Sequence, residues 1–381
     1  MRAKALKSWA ESELTRDLGV DVIIHQALET TSRFYGFGVW LYNFIQRTWP
    51  RAHHIYFRFL EWVALLRNGK LIRGGAGFSE FVREIQPDIV LSTHGHLNHG
   101  FMELARAALP EKNVKCVTYC GELHHTYGFS RHWVNPELDL FIGAVEQTCQ
   151  GASKLGMPPS RIWQGSFLLK PAFYREQMSA PLRRQFITEQ LGMNPDGFIL
   201  VLATGANGAN NHIGFLKALY HSGVRPQVVA LCGRSPQIQM RVLHWAADHP
   251  EMRVRTMGYC RDMHTLLQCA DAVVARPGTG TTSEAVLCGC PVIFNTIGGA
   301  MPQEMITMRY FREHNWPKAV GRVQSLPNRV RYLMDNPKHR VQIRQVIRNL
   351  NPPGEPRRIL EKLISLLDKK SEPQEAELSR T

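Results

Sequence analysis

The 381-residue sequence predicts an α/β protein built of two doubly wound units that face each other across a cleft, and three observations carry that reading. Short apolar runs of strand length alternate with helix-patterned stretches, the signature of parallel sheets covered on both faces. The alternation stops at a polar stretch from about Arg175 to Gly192, closed by the turn Asn194-Pro195-Asp196-Gly197, and then restarts. The length also exceeds what one core comfortably serves.

In order, Leu6, Trp9, Ala10 and Leu14 suggest an opening helix, followed by an apolar strand Val20 to His25. Further strands are expected at Ile89 to Ser92, Lys115 to Tyr119 and Leu140 to Ala144. The second unit has five buried strands in prospect: Phe198 to Ala203, Gln227 to Leu231, Val254 to Met257, Ala272 to Ala275 and Val292 to Asn295. A helix from about Arg357 to Leu367 follows Pro353, and the charged tail from Lys369 reads as disordered. The expected division is residues 1–175, a linker at 176–195, a second domain at 196–350, a terminal helix at 351–368 and a tail at 369–381.

The chain carries 46 basic against 32 acidic residues, a net charge of +14, so its surface attracts phosphates of some kind. No apolar run approaches the roughly 20 residues of a spanning helix. Eight cysteines without CxxC pairing, and no leader pattern at the start, suit scattered thiols in the cytoplasm.

The most informative segment runs Ala275-Arg276-Pro277-Gly278-Thr279-Gly280-Thr281-Thr282-Ser283-Glu284, between a buried strand and an apolar helix pattern. Gly278 and Gly280 let backbone approach a phosphate, Thr279 and Thr281 add hydroxyl donors, and the helix start supplies unpaired N–H groups. Glu284 then stands where it would accept both ribose hydroxyls of a nucleotide, unless it is an ordinary exposed helix glutamate. A dinucleotide loop would need Gly-x-Gly-x-x-Gly at the unit's first strand, and a P-loop Gly-x-x-x-x-Gly-Lys-Ser/Thr; the sequence has neither arrangement. A second glycine-rich turn, with Gly205, Asn207 and Gly208, follows the unit's first strand. Arg234, ending the next strand after Cys232-Gly233, is placed to meet a diphosphate or to pair with a surface carboxylate. No Asp-x-Asp occurs, so no metal is expected to hold the diphosphate, and no cofactor is called for.

Taken together, Cys232-Gly233-Arg234, Gly258-Tyr259 with Met263, and Ala270-Asp271 running through Pro277-Gly278-Thr279-Gly280-Thr281 to Glu284-Ala285 resemble glycosyltransferase family 28. Pro291 and Pro302-Gln303-Glu304 continue the pattern. Within the family the likeness is to the monogalactosyldiacylglycerol synthases and related diacylglycerol glucosyltransferases more than to the cell-wall N-acetylglucosaminyltransferase. It spans roughly Pro87 to Asn315. The resemblance implies the GT-B fold and inverting transfer of galactose or glucose from a UDP-sugar to a lipid acceptor, by a protein peripheral to the cytoplasmic face of a membrane. It further implies that Glu284 binds the ribose, that the Gly258-Tyr259 turn holds the uracil, and that Gln303 and Glu304 bond the sugar hydroxyls.

In the first half Pro87 to His94 resembles the family's strand leading to a histidine loop, and Val117-Thr118 with Glu122 and Trp133 follows, although the family usually has aspartate at Glu122. An attacking hydroxyl needs a base; His94 and Glu122 are the candidates favoured, with His96 and His99 beside them. The His94-x-His96-x-x-His99 cluster with His124 and His125 would alternatively ligate zinc, but without the regular spacing of such sites. Family members open with a strand and a Gly-Gly-Gly-His loop, whereas Met1-Arg2-Ala3-Lys4-Ala5 starts on the helix after it. The expectation is a longer natural protein, or a chain that binds UDP-sugar without turning it over; a polyprenyl-linked acceptor is the other alternative.

Between Phe34 and Arg73, aromatic residues including Trp40, Tyr56, Phe59 and Trp62 interleave with arginines and lysines. That suits docking on an anionic membrane surface, with core packing as the competing use. Stacking of single-stranded nucleic acid would use the same pattern, but the phosphate turns argue against a nucleic-acid partner.

Overall fold

The computed structural model describes residues 1–27, 41, 52–66, 75–203, 211–314, 316 and 319–368. The first half contains α1 (Arg2–Ala10), α2 (His53–Leu66), α3 (Gly75–Ile85), β1 (Ile89–Ser92), α4 (Phe101–Ala108), β2 (Lys115–Cys120), β3 (Leu140–Gly143), α5 (Glu146–Lys154) and β4 (Ile162–Gln164). After α6 (Ala180–Gln185) come β5 (Ile199–Ala203), α7 (His212–His221), β6 (Gln227–Leu231), α8 (Pro236–Ala247), β7 (Val254–Met257), α9 (Met263–Cys269), β8 (Ala272–Ala275), α10 (Thr279–Leu287) and β9 (Val292–Phe294). The chain closes with α11 (Pro302–Glu313), α12 (Leu326–Asp335), α13 (Pro337–Asn349) and α14 (Arg357–Asp368).

Two parallel sheets result, in the orders β1-β2-β3-β4 and β7-β6-β5-β8-β9. In the second, β5 pairs with β6 on one side and β8 on the other, with Leu202 opposite Val274. The strand order reverses there, so the loops after β5 and β8 flank the crevice where open α/β sheets take their ligands. Every residue of β5, β6 and β8 is buried, as strands covered on both faces require. Leu200, Leu216, Ala230 and Trp245 form the core under one face, while Val201, Val229, Val273 and Val286 belong to the core under the other.

That second core is continuous with the first sheet, because Trp9, Tyr119, Phe167, Ile359 and Leu360 join it. α14 therefore returns to the first half: Arg357 pairs with Asp17 at 2.6 Å, and Arg358 lies over the Trp163 ring. Trp9 is wholly buried, and its Nε1 donates to the Leu169 carbonyl at 2.7 Å, so α1 is anchored on the segment after β4.

The structure differs from the sequence expectation at three places. Residues 20–26 form no strand: Val20 and Val22 lean on the core while Ile23 and Ile24 face outward, and the backbone joins neither sheet. β4 escaped notice because three residues are too few for a period-two pattern. α1 stops at Ala10, and Leu14, expected on its buried face, is 52 % exposed. The tail 369–381 and most of the aromatic and basic stretch between Phe34 and Arg73 lie outside the described residues.

Candidate functional site

The C-terminal wall of the cleft is made largely of backbone. β8 delivers the chain to Arg276-Pro277-Gly278, Gly278 caps α10 in extended conformation, and Thr279, Gly280 and Thr281 form the first turn. Amides of a first helical turn have no partner inside the helix, so this turn offers donors and a positive dipole end to an anion. A side chain at Gly278 would meet open space, whereas one at Gly280 would come within 3.2 Å of Met1 Sδ.

Glu284 stands one turn further on, half-buried. Burial pushes its carboxyl up to about 7, against the pull of Arg2 and Lys170. It is one of two such acids at the cleft. Glu122, just past β2, is also pushed up to about 7 by burial, again with Arg2 pulling the other way. Its Oε2 is buried with no hydrogen-bond partner among the described residues.

Beside β2, the loop after β1 carries a group of histidine side chains. His94 follows β1, its N–H donating to Ser92 Oγ at 3.1 Å. Its ring reaches solvent, but enough protein surrounds it that lost hydration, and then repulsion from His132, holds the imidazole below its ordinary value. His94 is 5.3 Å from His96, ring to ring, and His96 is 4.4 Å from His132. Asn98 Nδ2 donates to the carbonyls of His132 and Trp133, locking the two loops together. The other histidines of the considered zinc cluster are engaged elsewhere: His99 Nε2 with the Val134 carbonyl at 3.1 Å, His124 with Glu313 and His125 with the Gln147 carbonyl. No three ligating side chains converge among the described residues.

Arg234 lies over the Tyr259 ring at 5.3 Å, both exposed, and Gly258 approaches the Gly233 carbonyl. These residues follow β6 and β7, so parallel geometry puts them on the same edge of the sheet as the α10 turn. Gly205, Asn207 and Gly208 lie outside the described residues.

Glu304, expected to bond a sugar hydroxyl, is held by an arginine. It is 2 % exposed, and its two oxygens take Arg276 Nε and Nη2 at 2.9 and 2.5 Å, while Oε2 also accepts the Met301 N–H at 2.8 Å. Arg276 in turn donates to the carbonyls of Ile297 and Gly299. With both oxygens engaged, Glu304 joins Arg276, and through it the Ile297 and Gly299 carbonyls, to the start of α11. Gln303 beside it sits where the two halves touch. Gly128, with φ at +107°, comes so close that a Cβ would lie 2.0 Å from the Pro302 carbonyl oxygen. His54 bridges the same gap, bonding Tyr127 Oη through Nδ1 and the Ala300 carbonyl through Nε2 at 3.0 and 2.9 Å.

Sequence reasoning missed Arg2, Lys170, Arg276, Gly128 and His54. Only Arg276 carried a signal, as a cation directly ahead of the Pro-Gly-Thr turn; the others reach the cleft from segments with no motif.

Residues 202–307 match the glycosyltransferase family 28 C-terminal domain. The processive diacylglycerol beta-glucosyltransferase of Bacillus licheniformis is 23 % identical over 289 residues, which cover 73 % of this chain and 68 % of the relative. Monogalactosyldiacylglycerol synthase 1, chloroplastic, of Arabidopsis thaliana is 23 % identical over 220 residues, 55 % of this chain and 39 % of its own. The crystal structure of MurG from Acinetobacter baumannii superimposes with a TM-score of 0.52 at 13 % identity, covering 77 % of each chain. The fold is GT-B, and the chain is a glycosyltransferase whose residues 202–307 are similar to the family 28 C-terminal domain.

Proposed function

We propose that this glycosyltransferase moves galactose or glucose from a UDP-sugar, with inversion, to a diacylglycerol-type lipid at the cytoplasmic face of a membrane. The observation that carries the reading is the Pro277 to Thr281 turn at the start of α10 with Glu284 one turn on, together with Glu122, a second carboxyl whose proton affinity is raised by burial and lowered by Arg2. The names of the relatives, a diacylglycerol glucosyltransferase and a monogalactosyldiacylglycerol synthase, supply the acceptor class.

In the proposed reaction the acceptor hydroxyl oxygen forms the new bond to the anomeric carbon from the face opposite UDP, the bond from that carbon to the β-phosphate oxygen breaks, and the acceptor proton passes to a base. Glu122 suits that task, since a pKa of about 7 leaves it ionised in part at neutral pH and strong enough to take a proton. His94, neutral at that pH, is the alternate base. The α10 turn and Arg234 stabilise the leaving diphosphate without metal. Glu284 accepts the ribose hydroxyls, Gly258 and Tyr259 hold the uracil, and Gln303 contacts the sugar.

Membrane docking draws support from α2. Ile55, Phe59 and Trp62, spaced to share one face, are 72, 56 and 57 % exposed with Arg58 beside them, while Glu61 on the other side bonds Ser130. An apolar stripe flanked by cations suits the headgroup layer. No helix among the described residues is long and apolar enough to span a bilayer.

The test is UDP release from UDP-galactose and UDP-glucose, with and without diacylglycerol in anionic vesicles. Lipid-dependent release supports the proposal and, by comparing donors, names the sugar; UDP binding without release in every condition would make the chain a binding protein. Changing Phe59→Asp together with Trp62→Asp is expected to weaken co-sedimentation with the vesicles about tenfold.

A further inference from the structure

Arg2 begins α1, yet its guanidinium lies where the two sheets meet. Nη1 donates to the Leu168 carbonyl at 3.2 Å, beyond β4 of the first sheet. Nη2 donates to the Thr279 carbonyl at 3.1 Å and to Ser283 Oγ at 3.4 Å, both on α10 of the second half. Gly121, the residue before Glu122, is close enough that a Cβ there would lie 3.0 Å from Arg2 Nε. One planar cation thus touches the segments after β2 and β4 and the helix that opens on the phosphate turn.

The placement is held from behind, because Trp9 pins α1 to Leu169. The acceptors of Arg2 are neutral oxygens, and no carboxylate stands within ion-pair distance of it among the described residues. Its charge is therefore not cancelled by contact, and it acts on both Glu122, next to Gly121, and Glu284, next to Ser283, favouring the ionised form of each.

We propose that Arg2 is a positioning residue that spans the cleft, holding Gly121 and Glu122 against the α10 turn and keeping one positive charge acting on both glutamates. This rests on the transferase reading for its consequence, since base and nucleotide site must be in register for transfer. A planar fork reaches three acceptors on two separate segments at once, which a lysine ammonium on its flexible stem does not. Other titratable groups about Arg2 are Tyr119 and Cys120 on β2, Tyr174 after β4, and the Met1 amine. Lys170, Cys260 and Cys288 complete the surroundings of Glu284.

The test uses Arg2→Gln and Arg2→Lys in the full chain with two readouts. Carboxyl titrations of the two glutamates are followed by NMR in protein carrying labelled glutamate, assigned with Glu122→Gln and Glu284→Gln, and UDP affinity is measured by calorimetry. Arg2→Gln should move both midpoints up by about one pH unit. Arg2→Lys should leave the midpoints near those of the wild type but weaken UDP binding about tenfold, because the bridge is lost while the charge stays. A midpoint of either glutamate unmoved in Arg2→Gln overturns the proposal. If that variant does not fold, Arg2→Lys decides: UDP affinity equal to the wild type's overturns it. A wild-type chain that releases no UDP with any donor would sink the transferase reading, whereas the titration and affinity readouts on Arg2 stand without turnover.

Discussion

The two walls of the cleft use different materials. On the C-terminal wall a helix start, two glycines and a strand end present backbone amides whose positions follow from the fold. On the N-terminal wall, Glu122 follows β2, and a group of histidines comes together from the loop after neighbouring β1 and the loop at residues 130–135. A wall of backbone binds what any nucleotide diphosphate offers, and it tolerates side-chain change. A wall of side chains tunes proton affinity, and one substitution alters it. The contrast recurs within the second half: Glu284 is half-buried and raised to about 7, while Glu304, twenty residues on, is locked to Arg276 and buried.

The largest effect is expected on the side-chain wall. Glu122→Gln should lower kcat about 10²- to 10⁴-fold with little change in donor KM, measured by UDP release; a greater loss from His94→Ala would move the base to His94. Next comes Glu304→Ala, which strands Arg276 as a partly buried unpaired cation. It should cost about 3–5 kcal/mol of stability in urea unfolding, and a loss below one kcal/mol would mean that the pair does not organise the 296–301 loop. Glu284→Gln should leave stability intact or improve it, and raise donor KM about 10- to 100-fold through loss of charge-assisted hydrogen bonds. Equal KM in the two proteins would remove Glu284 from the nucleotide site.

The smallest effect is on stability against pH. Glu122 and Glu284 both have folded-state values near 7, raised by burial, against an ordinary value of 4.5. Between those limits the folded chain holds protons that the unfolded chain has released, so the two acids lower stability as pH rises from about 4.5 to about 7. The double variant Glu122→Gln, Glu284→Gln should flatten that slope, measured by urea unfolding at pH 5 and pH 8. A slope unchanged in the double variant would show that these carboxyls are better hydrated than their burial suggests.

Much of the fold was legible because buried parallel strands leave apolar runs. β1, β6, β7 and β8 match the expected ranges, and β5 and β9 differ by one residue at one end. The run Val20 to His25 misled because an apolar run identifies only a chance to be buried; pairing needs a free neighbour strand, and here the segment leans on the core instead.

The sequence by itself determined the α10 turn, since a strand, a Pro-Gly-Thr-Gly turn and a helix are consecutive and local sterics set their geometry. It also determined that Glu284 lies one turn beyond. Only the tertiary structure decided that Arg2 joins the segment after β4 to α10 beside Gly121, that Glu304 turns inward to Arg276, and that Gly128 meets Pro302. Those contacts join residues separated by up to hundreds of positions, and no local spacing encodes them. The protonation of the two glutamates belongs with them, because burial and a facing charge are properties of the assembled cleft and not of either segment.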